Sequence, residues 1–301
     1  MTTQKTVFIS GASSGIGQAT AHLLAQRGYR VFGTSRRPFD RPPGAGIETM
    51  ALDVRSDASV AECVAAVLAR TGRIDVLINN AGYELGGAIE EVSIAEAHEQ
   101  FDTNVYGVMR LTKAILPIMR RQGGGRIINM SSLAGIAPLP FLGIYAASKF
   151  AVEGYSEVLR HEVKPFNISV SLVEPSFIKT PLASNRQHAS AHIGEYDTWR
   201  ERALAAIRKY EQTAPEAETV AARILRIIES RSPKLHYTAT PDATLVSRLR
   251  RFLPESVYER ATRRHFQLDT GSVTGSHDAE TASHGARDGV RFARRPRPGR
   301  R

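Results

Sequence analysis

Tyr145 and Lys149 are the residues of this chain whose types and spacing most directly suggest chemistry. They stand four apart in GIYAASKFAVEGY, and the serine pair Ser131-Ser132 lies shortly upstream in GRIINMSSLAG. The surrounding sequence predicts a helix, on which residues four apart share a face. An ammonium held beside a phenol favours the phenolate and lowers the phenol's pKa. A phenol tuned in this way gives or takes a proton near neutral pH, where an ordinary tyrosine, with a pKa of about 10, does so poorly. Beside a carbonyl or an alcohol, such a pair is proton-transfer machinery. The spacing alone is common on protein surfaces, so the elements that must position the pair decide its meaning.

The first of those elements is N-terminal. KTVFISGASSGIGQATAHLLAQRGYRVFGTSRR reads as strand, glycine turn, helix, strand. The mostly apolar run 5–10 meets Gly11 without a polar linker, and Gly11, Gly15 and Gly17 open an amphipathic helix carrying Ala19, Leu23 and Leu24. Glycines at such a turn let backbone N–H groups approach a pyrophosphate, which rests on the helix N-terminus. The spacing is Gly-x-x-x-Gly-x-Gly, not the more familiar Gly-x-Gly-x-x-Gly.

SGASSGIG at 10–17, LDV at 52–54, NNAG at 79–82, Asn104 in NVYG, Ser132, YAASK at 145–149 and EPSFIKT at 174–180 follow one another along the chain. In their order and spacing they resemble the classical short-chain dehydrogenase/reductase family. The resemblance is close over residues 1–180 and looser to 265, where the chain is similar to the hydroxysteroid- and retinol-dehydrogenase-like branch. Two residues depart from the family pattern. Ser10 stands where the family has Thr, which keeps a hydroxyl, and Ser176 stands where a Gly usually follows the proline.

The resemblance implies an α/β, Rossmann-type doubly wound parallel sheet. It implies one NADP-binding domain over residues 1–269, with a substrate lid at 181–212. The activity it implies is an NADP(H)-dependent oxidoreductase interconverting a carbonyl and a secondary or primary alcohol by hydride transfer. Tyr145 would exchange the proton with the substrate oxygen. Lys149 would lower the tyrosine pKa and hold nicotinamide-ribose hydroxyls. Ser132, preferred to Ser131 because its spacing to Tyr145 fits the family, would orient the substrate oxygen. Asn104 would seat a water linking Lys149 to solvent. The cofactor would lie on Gly11, Ser13, Ser14, Gly15, Ile16 and Gly17, with Asp53 and Val54 at the adenine. Asn80, Ala81 and Gly82 would lie beside the adenosine ribose, and Pro175, Ile178 and Thr180 by the carboxamide.

Cofactor choice is read at the end of the second strand, where an acidic residue would accept hydrogen bonds from the adenosine ribose and favour NAD. Here Ser35 is followed by Arg36 and Arg37. A small neutral residue leaves room, and an arginine forks onto a 2′-phosphate. NADP(H) is therefore the expected cofactor, with NAD(H) the alternative; a non-catalytic dinucleotide-sensing protein is a further one. Tyr83, Leu85, Leu139, Phe141, Leu142 and Phe177 flank the catalytic motifs. Of these, Tyr83, Phe141, Leu142 and Phe177 are the substrate candidates, together with Ser132, and they favour a lipophilic alcohol or ketone.

Strand and helix signals alternate, as in a parallel sheet covered on both faces. Strands are expected near 5–10, 30–35, 48–53, 74–79, 125–131, 167–173 and 234–238, and helices near 15–27, 57–71, 95–121, 145–164 and 216–230. Extra short helices are expected over 241–265. In the family the two long central helices often build dimers or tetramers, so a homodimer or homotetramer is implied by resemblance.

With 301 residues the chain can bury one large core. Its one cysteine, Cys63, excludes an intramolecular disulfide and reads as a buried thiol on a helix. No N-terminal leader and no apolar stretch of membrane-spanning length is read, so a reducing cytoplasm is expected. The formal net charge is +10, and residues 270–301 hold seven arginines and few large apolar side chains. That segment reads as a basic disordered tail. A second basic stretch occupies 247–266. Without a nucleic-acid module both are read as solvated surface, and no nucleic-acid partner is expected. His188 and His192 stand four apart but lack a third ligand, so no metal is expected.

Overall fold

The computed structural model describes residues 4–37 and 46–269. The tail expected at 270–301 lies outside them. Seven strands form one wholly parallel sheet: β1 (Thr6–Ser10), β2 (Arg30–Ser35), β3 (Ile47–Ala51), β4 (Val76–Asn79), β6 (Gly125–Met130), β7 (Ile168–Glu174) and β9 (His236–Thr238). Their spatial order is β3-β2-β1-β4-β6-β7-β9. The chain winds outward from β1 to β3, then crosses back to β4 on the other side of β1. That reversal opens a crevice beyond the carboxyl ends of β1 and β4, the place where such sheets take ligands.

The continuous apolar strands are explained by burial on both faces. Along β1, Val7 and Ile9 pack into one cluster with Ala21 and Leu24 of α1 (Gly15–Gln26) and Val220, Ile224 and Ile228 of α8 (Ala217–Glu229). Phe8, pointing the other way, joins Phe32 and Leu77 in a second cluster. That cluster takes Val60, Val64 and Val67 from α2 (Asp57–Thr71), Leu111 and Ile115 from α4 (Gly107–Arg121), and Leu159 from α5 (Gly143–Val163). Cys63 lies in the same cluster, and burial pushes its thiol up to about 11, so it is an inert packing residue.

One predicted helix has internal structure. The chain is helical from 94 to 121, but α3 (Ile94–Phe101) and α4 are separated by a π-helical turn, Asp102–Tyr106. Ser93 caps α3 reciprocally with Glu96, an arrangement of the S-x-x-E type. The π turn carries Asn104. Such bulges are frequent at functional sites, because the extra residue per turn re-aims the side chains on it.

Beyond β7 the chain leaves the sheet. Residues 181–213 comprise α6 (Pro181–Ser184), β8 (Gln187–His188), a 3-10 turn (Gly194–Tyr196) and α7 (Asp197–Thr213). β8 pairs in parallel with β5 (Leu85–Gly86), Leu85 opposite Gln187 and Gly86 opposite His188. This small ladder ties the segment expected as a lid to the loop after β4. The short helices expected after 240 are α9 (Pro241–Phe252) and α10 (Glu255–His265). No helix among the described residues is long and apolar enough to cross a membrane.

Candidate active site

Tyr145 and Lys149 sit in the first two turns of α5 and are buried, 5% and 7% exposed. Lys149 Nζ donates to the carbonyl oxygen of Met130 at 2.9 Å and lies 5.7 Å from the centre of the Tyr145 ring. The lysine thus ties α5 to the end of β6. Ser132, two residues beyond Met130, caps a 3-10 turn, its Oγ accepting from the Ala134 N–H at 3.1 Å. Strand β6 therefore delivers the serine and α5 delivers the phenol and ammonium to one place.

Asn104 reaches the same place from the π turn. Its Nδ2 donates to the carbonyl oxygen of Tyr83 and to Ser148 Oγ, both at 3.1 Å, and its Oδ1 accepts from the Tyr83 N–H at 3.1 Å. Gly82 lies between Asn104 and Lys149: a Cβ there would stand 3.1 Å from Asn104 Oδ1 and 3.9 Å from Lys149 Nζ.

Burial dominates the electrostatics. It pushes the Tyr145 phenol above its ordinary value, and the Glu84 charge adds to that rise, while a Ser132 hydrogen bond and the charge of Arg186 oppose it. Burial also draws the Lys149 ammonium down to about 8, against the opposing charges of Glu84 and Glu153. The sequence suggests a phenol lowered by its lysine. In the folded chain desolvation outweighs that attraction, because both groups are nearly out of water.

The crevice fits a dinucleotide. Gly11 has φ +69°, and a Cβ on Gly17 would lie 2.2 Å from the Gly11 carbonyl oxygen, so the turn exists only with bare backbone at both positions. No side chain caps α1, which leaves the first amide groups of that helix for an anion. Asn80 Nδ2 donates to the carbonyl oxygens of Ser10 and Gly11, at 3.1 and 2.8 Å. Ser10 Oγ accepts from the N–H groups of Asn80 and Ala81, so the hydroxyl that replaces the family's threonine holds the NNAG segment to β1. Ser35 ends β2 and Arg36 follows it, exposed. The Asp53 carboxylate accepts from the backbone and guanidinium of Arg55, whose hydrogen bonds hold it below the usual carboxylate range. Val54 packs under Gly107. Ser176 has ordinary backbone geometry and its hydroxyl shares a 2.9 Å hydrogen bond with Thr240, which anchors the start of α9.

A cavity of about 110 Å³ lies at Tyr145 and Lys149. Ser132, Tyr145 and Lys149 line it, as do Ile16, Asn80, Gly82, Pro175, Ile178 and Thr180 from the expected cofactor set. Of the substrate candidates, Tyr83, Leu142 and Phe177 line it, with Leu139. Phe141 is set aside from it: held at φ +61°, it meets Tyr196 edge-on at 6.4 Å. Ser131 lines the cavity next to Ser132 but is buried.

Sequence reading passed over three charged residues here. Glu84 and Glu211 line the cavity. Arg186, 8% exposed, joins them: Nε and Nη2 meet Glu84 Oε2 at 2.9 and 2.8 Å, and Nη2 donates to Glu211 Oε1 at 2.6 Å. Nothing local marks them, since they come from the loop after β4, the segment before β8, and α7. Elsewhere, Glu153, Glu174 and His236 converge beneath α5, with His236 Nδ1 2.7 Å from Glu174 Oε1 and 3.4 Å from Glu153 Oε2.

Known proteins are similar to this chain in sequence and fold. A family model described as short chain dehydrogenase matches residues 5–191. A 3-ketodihydrosphingosine reductase of Bacteroides thetaiotaomicron is 38% identical over 261 residues, covering 85% of this chain and 96% of its own. Retinol dehydrogenase 8 of Bos taurus is 36% identical over 282 residues, covering 86% and 89%. The crystal structure of a short-chain dehydrogenase from Streptomyces avermitilis superposes with a TM-score of 0.74 at 31% identity, covering 89% and 97%. Two further structures were solved with nicotinamide dinucleotides. One is a short-chain dehydrogenase/reductase of Burkholderia phymatum with NAD (TM-score 0.69, 29% identity, 85% and 95% covered). The other is ElxO with NADP (0.66, 27%, 78% and 98%). The chain belongs to the short-chain dehydrogenase/reductase family, in its classical, retinol-dehydrogenase-like branch, and is an oxidoreductase acting on CH–OH donors with NAD(P).

Proposed function

We propose that this enzyme interconverts a lipophilic ketone or aldehyde and its alcohol, with NADP(H) as the preferred cofactor. The observation that carries the reading is the convergence of Ser132, Tyr145 and Lys149 on one cavity whose remaining walls are largely apolar. The names of the reductase and the retinol dehydrogenase among its relatives support a lipophilic substrate.

The cofactor supplies or accepts the hydride. The chain's own residues do the rest. Ser132 holds the substrate oxygen by a hydrogen bond. Tyr145 donates its proton to that oxygen in reduction and removes it in oxidation. Lys149, fixed by the Met130 carbonyl, keeps positive charge beside the phenol and would hold the nicotinamide ribose. Asn104 holds the Tyr83 segment against α5, so that Gly82 and Lys149 keep their spacing. Gly11, Ser13, Ser14, Gly15, Ile16 and Gly17 would cradle the pyrophosphate. Asp53, Val54, Asn80, Ala81 and Gly82 would hold the adenosine end, and Pro175, Ile178 and Thr180 the carboxamide.

The NADP(H) preference rests on Ser35 and Arg36. The last residue of β2 is small and uncharged, and an exposed guanidinium follows it. Residues 181–212 serve as the lid, supported by Leu182 and Glu211 in the cavity wall. The enzyme works in the cytoplasm, a reading supported by its single buried thiol. The decisive experiment is a screen of ketones, aldehydes and alcohols followed by nicotinamide absorbance, run with both cofactors. Turnover of lipophilic carbonyls with NADPH ahead of NADH is the expected result. Better turnover of small charged hydroxy acids, or of NADH, would overturn the corresponding part.

A further inference from the structure

We infer that a second cavity, at the sheet edge opposite the active site, binds a small polyphosphate: the di- or triphosphate chain of a nucleotide, or a short inorganic phosphate chain.

In a wholly parallel sheet the N-terminal ends of the strands share one edge, and the crevice described above lies beyond the other. A cavity of about 520 Å³ lies at the N-terminal edge, lined by Val76, Gly125 and Ile168, the first residues of β4, β6 and β7. That volume suits a small organic ligand, but the lining is ionic. Lys5, Arg73, Arg126, Arg160, Lys164 and Arg231 all contribute to it. Asp75 is the one carboxylate among the lining residues, and it is already engaged. Arg73 pairs with its Oδ1 at 2.5 Å, and the Thr6 N–H donates to its Oδ2 at 2.8 Å. Glu162 and Glu229, the acids beside these cations in the chain, are exposed and outside the lining. Counting all three acids still leaves positive charge in excess.

Two of the cations are fixed in place without an anion. Arg126 donates to the carbonyl oxygens of Ile227, at 2.6 Å, and Ser230. Arg160 donates to those of Pro233, at 2.8 Å, and Val170. Both side chains are part-buried, and among the described residues neither has a carboxylate partner. Neutral carbonyls orient a guanidinium and use two of its five N–H donors, but they leave its charge uncompensated. Burial accordingly draws Arg126 below its ordinary value, the cost of a charge held partly out of water. The remaining cations differ in kind. Lys5, Lys164 and Arg231 are exposed, and their side chains make no hydrogen bond or ion pair among the described residues. They can therefore move onto an anion at little cost to the fold. Preset guanidiniums fork onto phosphate oxygens, and lysines add point charges around them. An anion with several charges along a short chain can engage both sets at once.

The test is calorimetric titration of the full chain with sodium tripolyphosphate, ATP and citrate at an ionic strength of about 0.15 M. The protein is first saturated with whichever of NADPH and NADH it binds more tightly, so that the cofactor crevice is filled. Tripolyphosphate or ATP should bind saturably, one per chain, and citrate at least about ten-fold more weakly. The double variant Lys164→Gln, Arg231→Gln should weaken binding by about ten-fold to a hundred-fold, the worth of a charge-assisted contact. Its thermal midpoint without ligand should stay that of the wild type, because neither side chain has a partner to lose. The control is Arg260→Gln with Arg264→Gln, two exposed arginines of α10, which should leave binding unchanged. Tighter binding of ATP would assign a nucleotide, and tighter or equal binding of tripolyphosphate the phosphate chain alone; either supports the site. Binding seen only without the dinucleotide would place the anion in the cofactor crevice and overturn the inference. So would citrate matching tripolyphosphate, or equal weakening in the two double variants, which would mean surface charge alone. Absence of saturable binding by both phosphates overturns it as well.

Discussion

The side chain of Asn104 and the backbone of Tyr83 exchange two hydrogen bonds: Oδ1 accepts from the Tyr83 N–H and Nδ2 donates to the Tyr83 carbonyl, each at 3.1 Å. A primary amide does here what a neighbouring strand would do, pinning the peptide that follows NNAG. Asn104 is buried and its Nδ2 also meets Ser148 on α5, so one side chain couples the loop after β4 to α5.

Asn104→Asp keeps the shape and the acceptor but loses the donor, and sets a carboxylate against the Tyr83 carbonyl. An unsatisfied buried group costs about 1–3 kcal/mol, more when charged. The expected outcome is a lower thermal midpoint with a fall in kcat, since Gly82 and Lys149 lose their fixed spacing. A melting curve and steady-state kinetics on the same preparation check it. Unchanged values of both would leave the amide without a coupling role.

Tyr145→Phe removes the transferable proton and keeps most of the buried volume. Loss of a positioned acid–base group lowers kcat by about 100-fold to 10,000-fold. Dinucleotide affinity, measured by titration, should change little, because the phenol is not the anchor of the nucleotide. Near-normal turnover would take Tyr145 out of the mechanism.

These positions were legible in the sequence because each motif is local. The β1–Gly11–α1 turn, NNAG and Tyr-x-x-x-Lys each lie within a few residues, and a parallel sheet brings the ends of its strands together whatever lies between. The π turn was not legible: one widened turn at 102–106 leaves the apolar pattern of a continuous helix intact. The Glu84–Arg186–Glu211 clamp was hidden for another reason. Its first two members are 102 positions apart, and charged residues in loops and helices read as surface until packing buries them. Phe141 is adjacent in sequence to Leu142 of the cavity wall, but at φ +61° its ring meets Tyr196 edge-on.

Arg36→Asp should reverse the cofactor preference. Arg36 is exposed directly after Ser35, where a guanidinium can fork onto a 2′-phosphate and an aspartate can accept from a ribose hydroxyl. The lost charge-assisted bond is worth about 1.5–3 kcal/mol, or roughly ten-fold to more than a hundred-fold in NADPH affinity. The kcat/KM ratio for NADPH over NADH in both proteins is the measurement. A wild type that favours NADH would sink the assignment.

His236 ties stability to pH on the alkaline side. Hydrogen bonds to Glu153 and Glu174 raise the imidazole from 6.5 to about 10, and Glu157 Oε1 lies 3.6 Å from its other nitrogen. A group whose folded pKa is raised stabilises the fold fully below its unfolded value. That contribution is lost as pH climbs through the folded value. The wild type should therefore lose part of its thermal midpoint between pH 6.5 and 10, and His236→Gln should show less of that slope. The effect should be modest, because His236 is 46% exposed and solvent screens it. Parallel slopes for the two proteins would show that the charge pairing contributes nothing.

Arg186→Met is the sharpest test of how the segment proposed as a lid, residues 181–212, is held. Arg186 joins Glu84 in the body of the domain to Glu211 on α7, and it stands next to the β5–β8 ladder. Other contacts pin the same segment. Ser190 N–H donates to Glu96 Oε1 and Ile193 N–H to Glu91 Oε1, both at 2.8 Å, and Arg200 pairs with Glu91. Those contacts lie further along the segment, so removing Arg186 should free the end nearest the cavity and leave the rest attached. The two carboxylates would then face each other unpaired and largely buried. Breaking a buried ion pair by removing one partner costs about 3–5 kcal/mol. The thermal midpoint should fall, and hydrogen exchange should quicken in α6, β8 and the second half of α7 more than in α3. Trp199, the single tryptophan, lies at the opposite end of α7 and should keep its emission if the loosening is confined as argued. Exchange that quickens evenly across the domain would mean that Arg186 stabilises the fold at large and is not a latch.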